Sequence, residues 1–321
     1  QLSKVGISPK SYNNKYGVPL SLFNLDQKND YGVLEIGMDK KGEIDYLSKI
    51  VKPDISVITN INYAHAKNFK NLKQIALAKS EIIYNTKVNG FIILNADDNF
   101  FTLHKNIANK KNLKILSFGI DNKKANIKLI SVKKIAHKFK AIIRINNFKT
   151  YFFISNDFQN NILNILATLA VMSIFLNISK LNKNIFISFK IPNGRGDITK
   201  IKINNKNLNL IDESYNSNPL SLKSALLNFD KMKINKGKKY LLLGDMLELG
   251  GHSKKLHQSI GKIINNTKID KIFVKGSEVL FTYNSISKNK KGRVLNSNSE
   301  IIDLIKNDLN NNDYLMIKAS N

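Results

Sequence analysis

The sequence predicts an α/β protein in which mostly parallel sheets are covered by helices. Short apolar runs alternate with helical patterns along most of the chain, which is typical of that fold class. From about Ile127 to Ile154 apolar and polar residues alternate instead, and this period of two predicts an antiparallel section at a sheet edge. The pattern breaks at Ile191–Gly196, where Pro192 and two glycines interrupt it, so we predict two domains, residues 1–190 and 191–321.

The first domain is predicted to contain four buried strands before its antiparallel section. They are Tyr31 to Ile36, Ile55 to Thr59, Phe91 to Leu94 and Ile115 to Phe118. A helix is predicted from Leu72 to Ile83, between the second and third of these strands. A strongly apolar helix from about Asn160 to Leu176 closes the domain.

A new alternation of strands and helices is predicted for the second, smaller domain. The strands are Leu208 to Ile211, Tyr240 to Leu243, Ile269 to Val274 and Tyr314 to Ile317. The helices are Pro219 to Phe229, Ser253 to Ile264 and Glu300 to Leu309.

Composition limits the class of protein. With 321 residues and 42% hydrophobic content, the chain can bury one large core or two ordinary ones, and its length favours two domains. Cysteine is absent, which excludes disulfides and thiolate metal sites and fits a reducing compartment. No apolar run approaches the roughly 20 residues of a membrane span, and no signal-peptide pattern precedes the first strand. We therefore predict a cytoplasmic, monomeric protein without a membrane span.

The net charge of +27 raises the question of a nucleic-acid partner. The lysines are scattered through every segment beside abundant Asn and Ile, which favours a compositional bias over a built basic patch. Arginine, whose forked guanidinium reads bases and phosphates, occurs only as Arg144, Arg195 and Arg293. We predict no specific nucleic-acid partner, while a nonspecific affinity for polyanions remains an alternative.

The segment Ile211–Pro219 is the strongest candidate for a ligand site, because an apolar strand ends there in acidic, amide and hydroxyl groups. Asp212 follows the strand's carboxyl end, where doubly wound sheets bind ligands. Asn218 can cap the helix that Pro219 begins. The alternative is an ordinary capped turn.

Two other strand ends carry groups that suit a metal ion. Glu35 ends the run Val33–Gly37, and its carboxylate suits Mg²⁺, which prefers oxygen ligands. His65 follows the next strand. Each also has an ordinary interpretation: a carboxylate paired with a lysine, and a hydrogen-bonded structural histidine.

Four further residues have both a functional and an ordinary interpretation. Lys79 lies in an apolar helical stretch, although in a lysine-rich chain it could be a surface residue. Asn161 and Asn164, at the start of the last helix of the first domain, can bind a purine edge or cap the helix. Arg195, between two glycines, can approach a phosphate closely or be exposed on a simple turn.

The motifs together resemble the Mur ligase family of peptidoglycan synthesis, and within it the members that add D-alanyl-D-alanine. The matching segments, in order, are Asn13–Leu20, Glu35–Gly37, Gly42–Ile44, Asn60–His65, Ala78–Ile82, Asn161–Asn164, Gly194–Gly196, Asp212–Pro219 and Gly244–Gly250. The resemblance implies a central ATPase-type domain followed by a Rossmann-like C-terminal domain. It also implies that ATP and Mg²⁺ drive the ligation of D-alanyl-D-alanine to a UDP-N-acetylmuramoyl tripeptide through an acyl phosphate.

The resemblance also implies roles for individual residues. Glu35 and His65 would hold Mg²⁺ together with a carbamylated Lys79, and these three would be the catalytic residues. Asn161 and Asn164 would contact adenine, Arg195 the phosphates and Asp212 the ribose. The substrate side would be formed by Asn14, Tyr215, Asn216 and Asn218.

One motif of that family has no counterpart here. The sequence contains no G-x-x-x-x-G-K-[ST] loop, so we expect the 321 residues alone to be inactive. We interpret the chain as a fragment without the N-terminal domain and with a shortened C-terminal domain. The alternatives are another Mur ligase, a folylpolyglutamate synthase, or a noncatalytic binding module.

Overall fold

The computed structural model describes residues 3–155, 161–189 and 192–320. It confirms the α/β prediction, since parallel pairing dominates each of two six-stranded sheets within the described residues. The chain forms two compact units, residues 1–61 with 68–188, and residues 62–67 with 189–321. The predicted domain boundary falls on Lys190 and Ile191, which lie outside the described residues, and it stays a prediction.

The first unit contains six strands in one sheet, whose order is the order of the chain. They are β3 (Ile55–Ile58), β4 (Phe91–Asn95), β5 (Lys114–Gly119), β6 (Ile127–Ile135), β7 (Lys138–Ile145) and β8 (Phe148–Ser155). The pairs from β3 to β6 are parallel, and β6, β7 and β8 are antiparallel, as the period-two pattern predicts.

Six helices belong to the first unit in its described part. They are α1 (Gly17–Phe23), α2 (Glu43–Val51), α3 (Leu72–Lys79), α4 (Glu81–Asn85), α5 (Phe101–Lys110) and α6 (Ile162–Phe175). The single helix predicted from Leu72 to Ile83 is interrupted at Ser80, whose hydroxyl donates to the Leu77 carbonyl at 2.7 Å. The predicted start of the last helix, Asn160, lies outside the described residues.

The predicted strand from Tyr31 to Ile36 is shorter than expected. The structure has β2 only at Tyr31–Val33, paired in parallel with β1 (Val5–Ile7) in a separate two-stranded sheet. The ladder ends at Ser8, because its hydroxyl rather than a backbone carbonyl accepts from the Glu35 amide at 3.1 Å. Glu35 therefore lies in the loop that follows β2.

The sheet of the second unit has the order β13-β12-β11-β14-β10-β9. Its strands are β9 (Asp197–Ile203), β10 (Lys206–Asp212), β11 (Lys239–Leu243), β12 (Lys271–Val274), β13 (Lys291–Val294) and β14 (Tyr314–Lys318). Its helices are α7 (Pro219–Lys231), α8 (Ser253–Asn265), α9 (Leu280–Ser285) and α10 (Asn298–Asp303). The predicted helix to Leu309 ends earlier, because the chain continues as a π-helical turn, Leu304–Asp308.

The edge strand β9 has no counterpart among the predicted strands. It pairs with β10 in an antiparallel hairpin whose two turn residues, Asn204 and Asn205, have φ of 47° and 61°. Positive φ at both residues is what a tight hairpin turn requires, and Asn tolerates it. Lysines on β9 suit a protected sheet edge.

None of the helices in the described parts of the chain combines the length and apolar character needed to cross a bilayer. Each unit instead buries its own core. In the first unit Phe118 and Phe152 pack with the buried face of α6, including Leu166 and Leu169. In the second unit every residue of β11 is buried.

Two buried histidines, one in each unit, should make the stability depend on pH. His257 Nε2 accepts the Met246 amide at 3.2 Å, so the ring is neutral, and burial lowers the pKa of both His257 and His104. The unfolded chain then binds more protons than the folded one below a pH of about 6.5, so the free energy of unfolding should fall as pH falls through that value.

Urea unfolding at pH values on either side of about 6.5 measures this effect. The His257→Gln and His104→Gln variants should each have a shallower pH dependence than the unmodified chain. The exposed His137→Gln variant is the control and should not change it. Equal slopes in all four proteins would contradict the assignment.

Candidate active site

Lys79 is the last residue of helix α3 in the first unit, and its amino group is removed from bulk solvent. Burial lowers the pKa of its ammonium group, and the negative charges of Glu35 and Asp98 oppose that shift. Lys79 is therefore not the freely solvated surface lysine of the ordinary interpretation. A lysine with a lowered pKa has a larger fraction of neutral amine, the form that reacts as a nucleophile.

Asp98 is a member of this group that the sequence analysis missed. It follows β4, and its carboxylate accepts the amides of Ile61 at 2.7 Å and Phe100 at 2.8 Å. Asp98 therefore fixes the end of the segment after β3 and the beginning of α5. The signal in the sequence was a carboxylate at the end of an apolar strand-like run, the same signal that pointed to Glu35.

Glu35 and Asn14 lie in neighbouring loops of the first unit. The Asn13 side chain donates to Glu35 Oε1 at 2.8 Å, which orients the carboxylate. Asn14 Oδ1 accepts the amides of Tyr16 and Gly17 at 3.1 and 3.0 Å, so it stabilises the beginning of α1. The Asn14 side-chain NH₂ is the part of this residue that could serve a ligand.

A pocket of about 230 Å³ lies between the end of β3 and helix α6 in the first unit. Its lining residues are Val57, Thr59, Asn164, Ala167, Thr168 and Val171. Asn161 occupies the N-cap position of α6, but its side chain makes no capping hydrogen bond. Its Oδ1 lies 3.5 Å from the Asn164 side-chain nitrogen, Nδ2. Apolar walls with side-chain amides at the rim suit a flat heterocycle such as a purine.

In the second unit, side chains of the loop after β10 form hydrogen bonds within the loop and with the helix that follows it. Asp212 Oδ1 accepts the amide and the hydroxyl of Ser214 at 2.9 and 2.6 Å. Asn218 caps α7 in a reciprocal capping box with Ser221, and its Oδ1 also accepts from the Asn62 side-chain NH₂ at 3.2 Å. The capping interpretation of Asn218 is therefore correct, and Asp212 Oδ2 is the oxygen outside the turn.

Arg195 lies on the adjacent glycine turn. Its guanidinium carbon is 4.3 Å from the centre of the Tyr215 ring, and the side chain is exposed. Gly194 and Gly196 have φ of 76° and 103°, and a Cβ on Gly194 would lie 3.0 Å from the Tyr215 amide nitrogen. The turn therefore requires glycine on both sides of Arg195. Among the described residues, no carboxylate forms an ion pair with Arg195.

His65 belongs to the second unit, where its Nδ1 contacts Glu248 Oε2. The Glu248 backbone carbonyl accepts the Lys67 backbone amide at 2.8 Å. Glu248 Oε1 is 3.9 Å from Lys67 Nζ. Glu35 and Lys79 belong to the first unit. The grouping of Glu35, His65 and Lys79 around one metal ion stays a prediction.

Ser217 has an unusual environment within the loop after β10. It is 2% exposed, and in the described structure its Oγ has no hydrogen-bond partner. An unpaired buried hydroxyl is destabilising, so Ser217→Ala should raise the free energy of unfolding by about 1 kcal/mol. Chemical denaturation measures the change.

The matched control is Ser221→Ala, four residues further on. Removing that capping-box hydroxyl should lower the free energy of unfolding by about 1 kcal/mol. Loss of stability in Ser217→Ala would show that the Ser217 hydroxyl has a partner in solution.

Comparison with known protein families places most of this chain in two domains. Residues 2–172 match the Mur ligase middle domain. Residues 195–321 match the Mur ligase, glutamate ligase domain.

Two curated relatives illustrate the similarity of sequence, and both are named UDP-N-acetylmuramoyl-tripeptide--D-alanyl-D-alanine ligase. The protein of Rickettsia prowazekii is 30% identical over 316 residues, 97% of this chain and 68% of the relative. The protein of Buchnera aphidicola from Acyrthosiphon pisum is 36% identical over 278 residues, 85% of this chain and 59% of the relative. The chain thus spans about 59% to 68% of the length of these relatives.

Solved structures share the fold. MurF from Acinetobacter baumannii superposes with a TM-score of 0.85 at 24% identity, covering 99% of this chain and 68% of that one. MurF from Thermotoga maritima, solved in complex with ADP, has a TM-score of 0.84 at 26% identity and covers 99% of this chain and 70% of that one.

Proposed function

This chain belongs to the Mur ligase family, and on that premise we propose that the protein joins D-alanyl-D-alanine to a UDP-N-acetylmuramoyl tripeptide in an ATP-dependent ligation. The names of the curated relatives support this choice of substrates. The observation that carries the chemistry is Lys79, whose amine is desolvated beside the charges of Glu35 and Asp98. A cytoplasmic location is part of the proposal, since the reaction consumes ATP.

The reaction needs activation because a carboxylate is a poor electrophile. The tripeptide carboxylate attacks the γ-phosphorus of ATP, ADP leaves, and an acyl phosphate forms. The amine of D-alanyl-D-alanine then attacks the acyl carbon, inorganic phosphate leaves, and the amide bond forms with loss of a proton. Holding the two reactants in line is the main task of the protein.

Lys79 supplies a metal-binding group in this proposal. Its neutral amine adds to CO₂, a C–N bond forms, a proton is released, and the product is a carbamate with two oxygen atoms. Such oxygen atoms, with the Glu35 carboxylate, fit the preference of Mg²⁺ for hard ligands, and His65 completes the proposed set. When bound, Mg²⁺ offsets negative charge on the phosphoryl group.

Nucleotide-binding residues are proposed in the first unit and in the second unit, each from its own geometry. The pocket beside α6 takes the adenine, with Asn164 in its lining and Asn161, whose Oδ1 is 3.5 Å from the Asn164 side-chain nitrogen, as the second adenine contact. Arg195 binds the phosphates through its forked donors, and Asp212 Oδ2 accepts from the ribose.

The substrate side is assigned to four residues, Asn14, Tyr215, Asn216 and Asn218. The side-chain NH₂ groups of Asn14 and Asn218 remain donors, because in both residues the side-chain oxygen is the atom that accepts backbone amides. We expect the 321 residues alone not to catalyse ATP turnover or ligation, because none of their segments matches the ATP loop.

A substrate-matrix assay tests the proposal. The complete product of the gene is incubated with ATP, Mg²⁺ and the UDP-linked tripeptide, and phosphate release and product mass are measured with D-alanyl-D-alanine or with single amino acids. We expect phosphate release and a new amide only with the dipeptide. Ligation of a single amino acid would indicate another Mur ligase, and ligation of glutamate to folate a folylpolyglutamate synthase. No ATP turnover with any acceptor would indicate a noncatalytic binding module.

A further inference from the structure

Lys318, the last residue of β14, is a lysine buried inside the second unit. Its side chain is 1% exposed, although it is a lysine at the end of an apolar strand and is not itself one of the proposed active-site residues. Its ammonium group donates to the Asn216 carbonyl at 2.9 Å, the Glu213 carbonyl at 3.3 Å and Glu213 Oε2 at 3.4 Å. A buried ammonium group requires such partners, because removing it from water is unfavourable.

Two cations act on the Glu213 carboxylate. One is Lys318, and the other is Arg195 on the glycine turn, whose positive charge also acts on Glu213. Glu213 Oε1 lies 2.9 Å from the position that a Cβ on Gly196 would take, so the carboxylate packs against the residue next to Arg195. Burial raises the pKa of Glu213, and Lys318 is the largest opposing influence.

Arg195 nevertheless has no ion-pair partner among the residues that the structure describes. The carboxylates near the glycine turn have other partners. Asp197 Oδ1 accepts the Gly194 amide, Asp212 Oδ1 accepts from Ser214, and Glu213 Oε2 accepts from Lys318. The guanidinium is stacked on Tyr215 and exposed, which leaves its donors in solvent.

We propose that Lys318 is a positioning residue that keeps Arg195 available for an anionic ligand. It does so by holding the Glu213 carboxylate, and with it the backbone of the loop after β10, away from the guanidinium. Without Lys318, Glu213 is a partly buried carboxylate on which Arg195 is the remaining cationic influence, and a carboxylate can pair with a guanidinium through two parallel hydrogen bonds. The identity of the anion as a nucleotide phosphate rests on the proposed function, whereas the availability of Arg195 does not.

The state of Arg195 can be measured without any ligand, by its reaction with phenylglyoxal in the 321-residue chain. Peptide mass spectrometry reports each arginine separately. Arg293, which is paired with Asp303 and Asp308 at 3.1 and 2.9 Å, and Arg144, which donates to backbone carbonyls, are internal references.

We expect Lys318→Met and Lys318→Gln to slow the labelling of Arg195 about threefold, the size of a partly exposed ion pair. Glutamine retains hydrogen-bond donors for the loop carbonyls but removes the positive charge. If Lys318→Met does not fold, the labelling is therefore measured in Lys318→Gln. Adding Glu213→Gln to either variant should restore the labelling rate. A purely structural role for Lys318 predicts no such rescue.

The matched control is Lys239→Met, which removes another buried lysine of the same sheet. Lys239 begins β11 at the opposite end of the parallel pair with β14, and its Nζ donates to the Asp230 and Met232 carbonyls at 2.7 Å. This variant should lose stability but leave the labelling of Arg195 unchanged. The proposal is overturned if folded Lys318 variants label like the unmodified chain, or if the double variants remain slow.

Binding of ADP to the complete gene product provides the second measurement. Lys318→Gln should weaken binding about threefold, and the additional Glu213→Gln change should restore it. If ADP does not bind the unmodified protein while the labelling results hold, the nucleotide assignment fails and the positioning role of Lys318 stands.

Discussion

Lys79→Met is expected to reduce ligation by the complete gene product about 100-fold or more, since loss of groups that support a metal site has effects of at least that order. Methionine is similar in length and fits a desolvated position, but it cannot add CO₂. The substitution therefore removes the proposed carbamate oxygens while leaving the packing of α3 nearly intact. The unfolding temperature is measured alongside the rate to establish this.

Lys73→Met is the matched control, because Lys73 lies on the same helix and is exposed. It should retain the full rate. A direct test of the carbamate is carbon-13 NMR with labelled bicarbonate, in which the unmodified chain should show a carbamate resonance that Lys79→Met lacks. An undiminished rate in Lys79→Met would remove this lysine from the reaction.

Arg195→Met is expected to weaken the binding of ADP to the complete gene product by about tenfold or more, the range of a lost charge-assisted contact. The guanidinium is held over Tyr215 by a glycine turn and has no competing carboxylate in the described structure. Arg195→Lys should recover only part of the affinity, because an ammonium group retains the charge without the planar pair of donors.

Titration calorimetry measures these affinities. Lys200→Met removes an exposed cation from the neighbouring strand β9 and should bind ADP like the unmodified protein. Equal loss in Lys200→Met and Arg195→Met would indicate that general positive charge, rather than the placed guanidinium, attracts the nucleotide.

The buried parallel strands were the elements that the sequence predicted most closely. β4 and β11 consist of apolar runs that are buried on both faces, so composition alone marks them. The edge strand β9 was missed although its lysines and isoleucines alternate with the period of two that predicted the antiparallel section of the first domain, and its pairing with β10 establishes it as a strand. β2 was overestimated because an apolar run does not reveal that its neighbour in the sheet ends at Ser8.

The candidate site shows the same difference between local and distant information. The motif order predicted Lys79, Arg195 and the loop after β10, since turn residues and strand ends can be recognised from neighbouring residues in the sequence. Asp98 and Lys318 were missed because their importance comes from partners that are remote in the sequence. Asp98 is 37 residues from Ile61, and Lys318 is 105 residues from Glu213.

The sequence by itself determined the fold class and the family, because hydrophobic periodicity and ordered motifs are properties of neighbouring residues. The tertiary structure decided which ionisable groups are removed from water and which charges face them. The lowered pKa of Lys79 and the hydrogen bond from Lys318 to Glu213 both depend on this removal from water and on these facing charges. The physical reason is that desolvation and Coulomb energies depend on distances in space, and those distances are fixed only when separate strands and loops pack together.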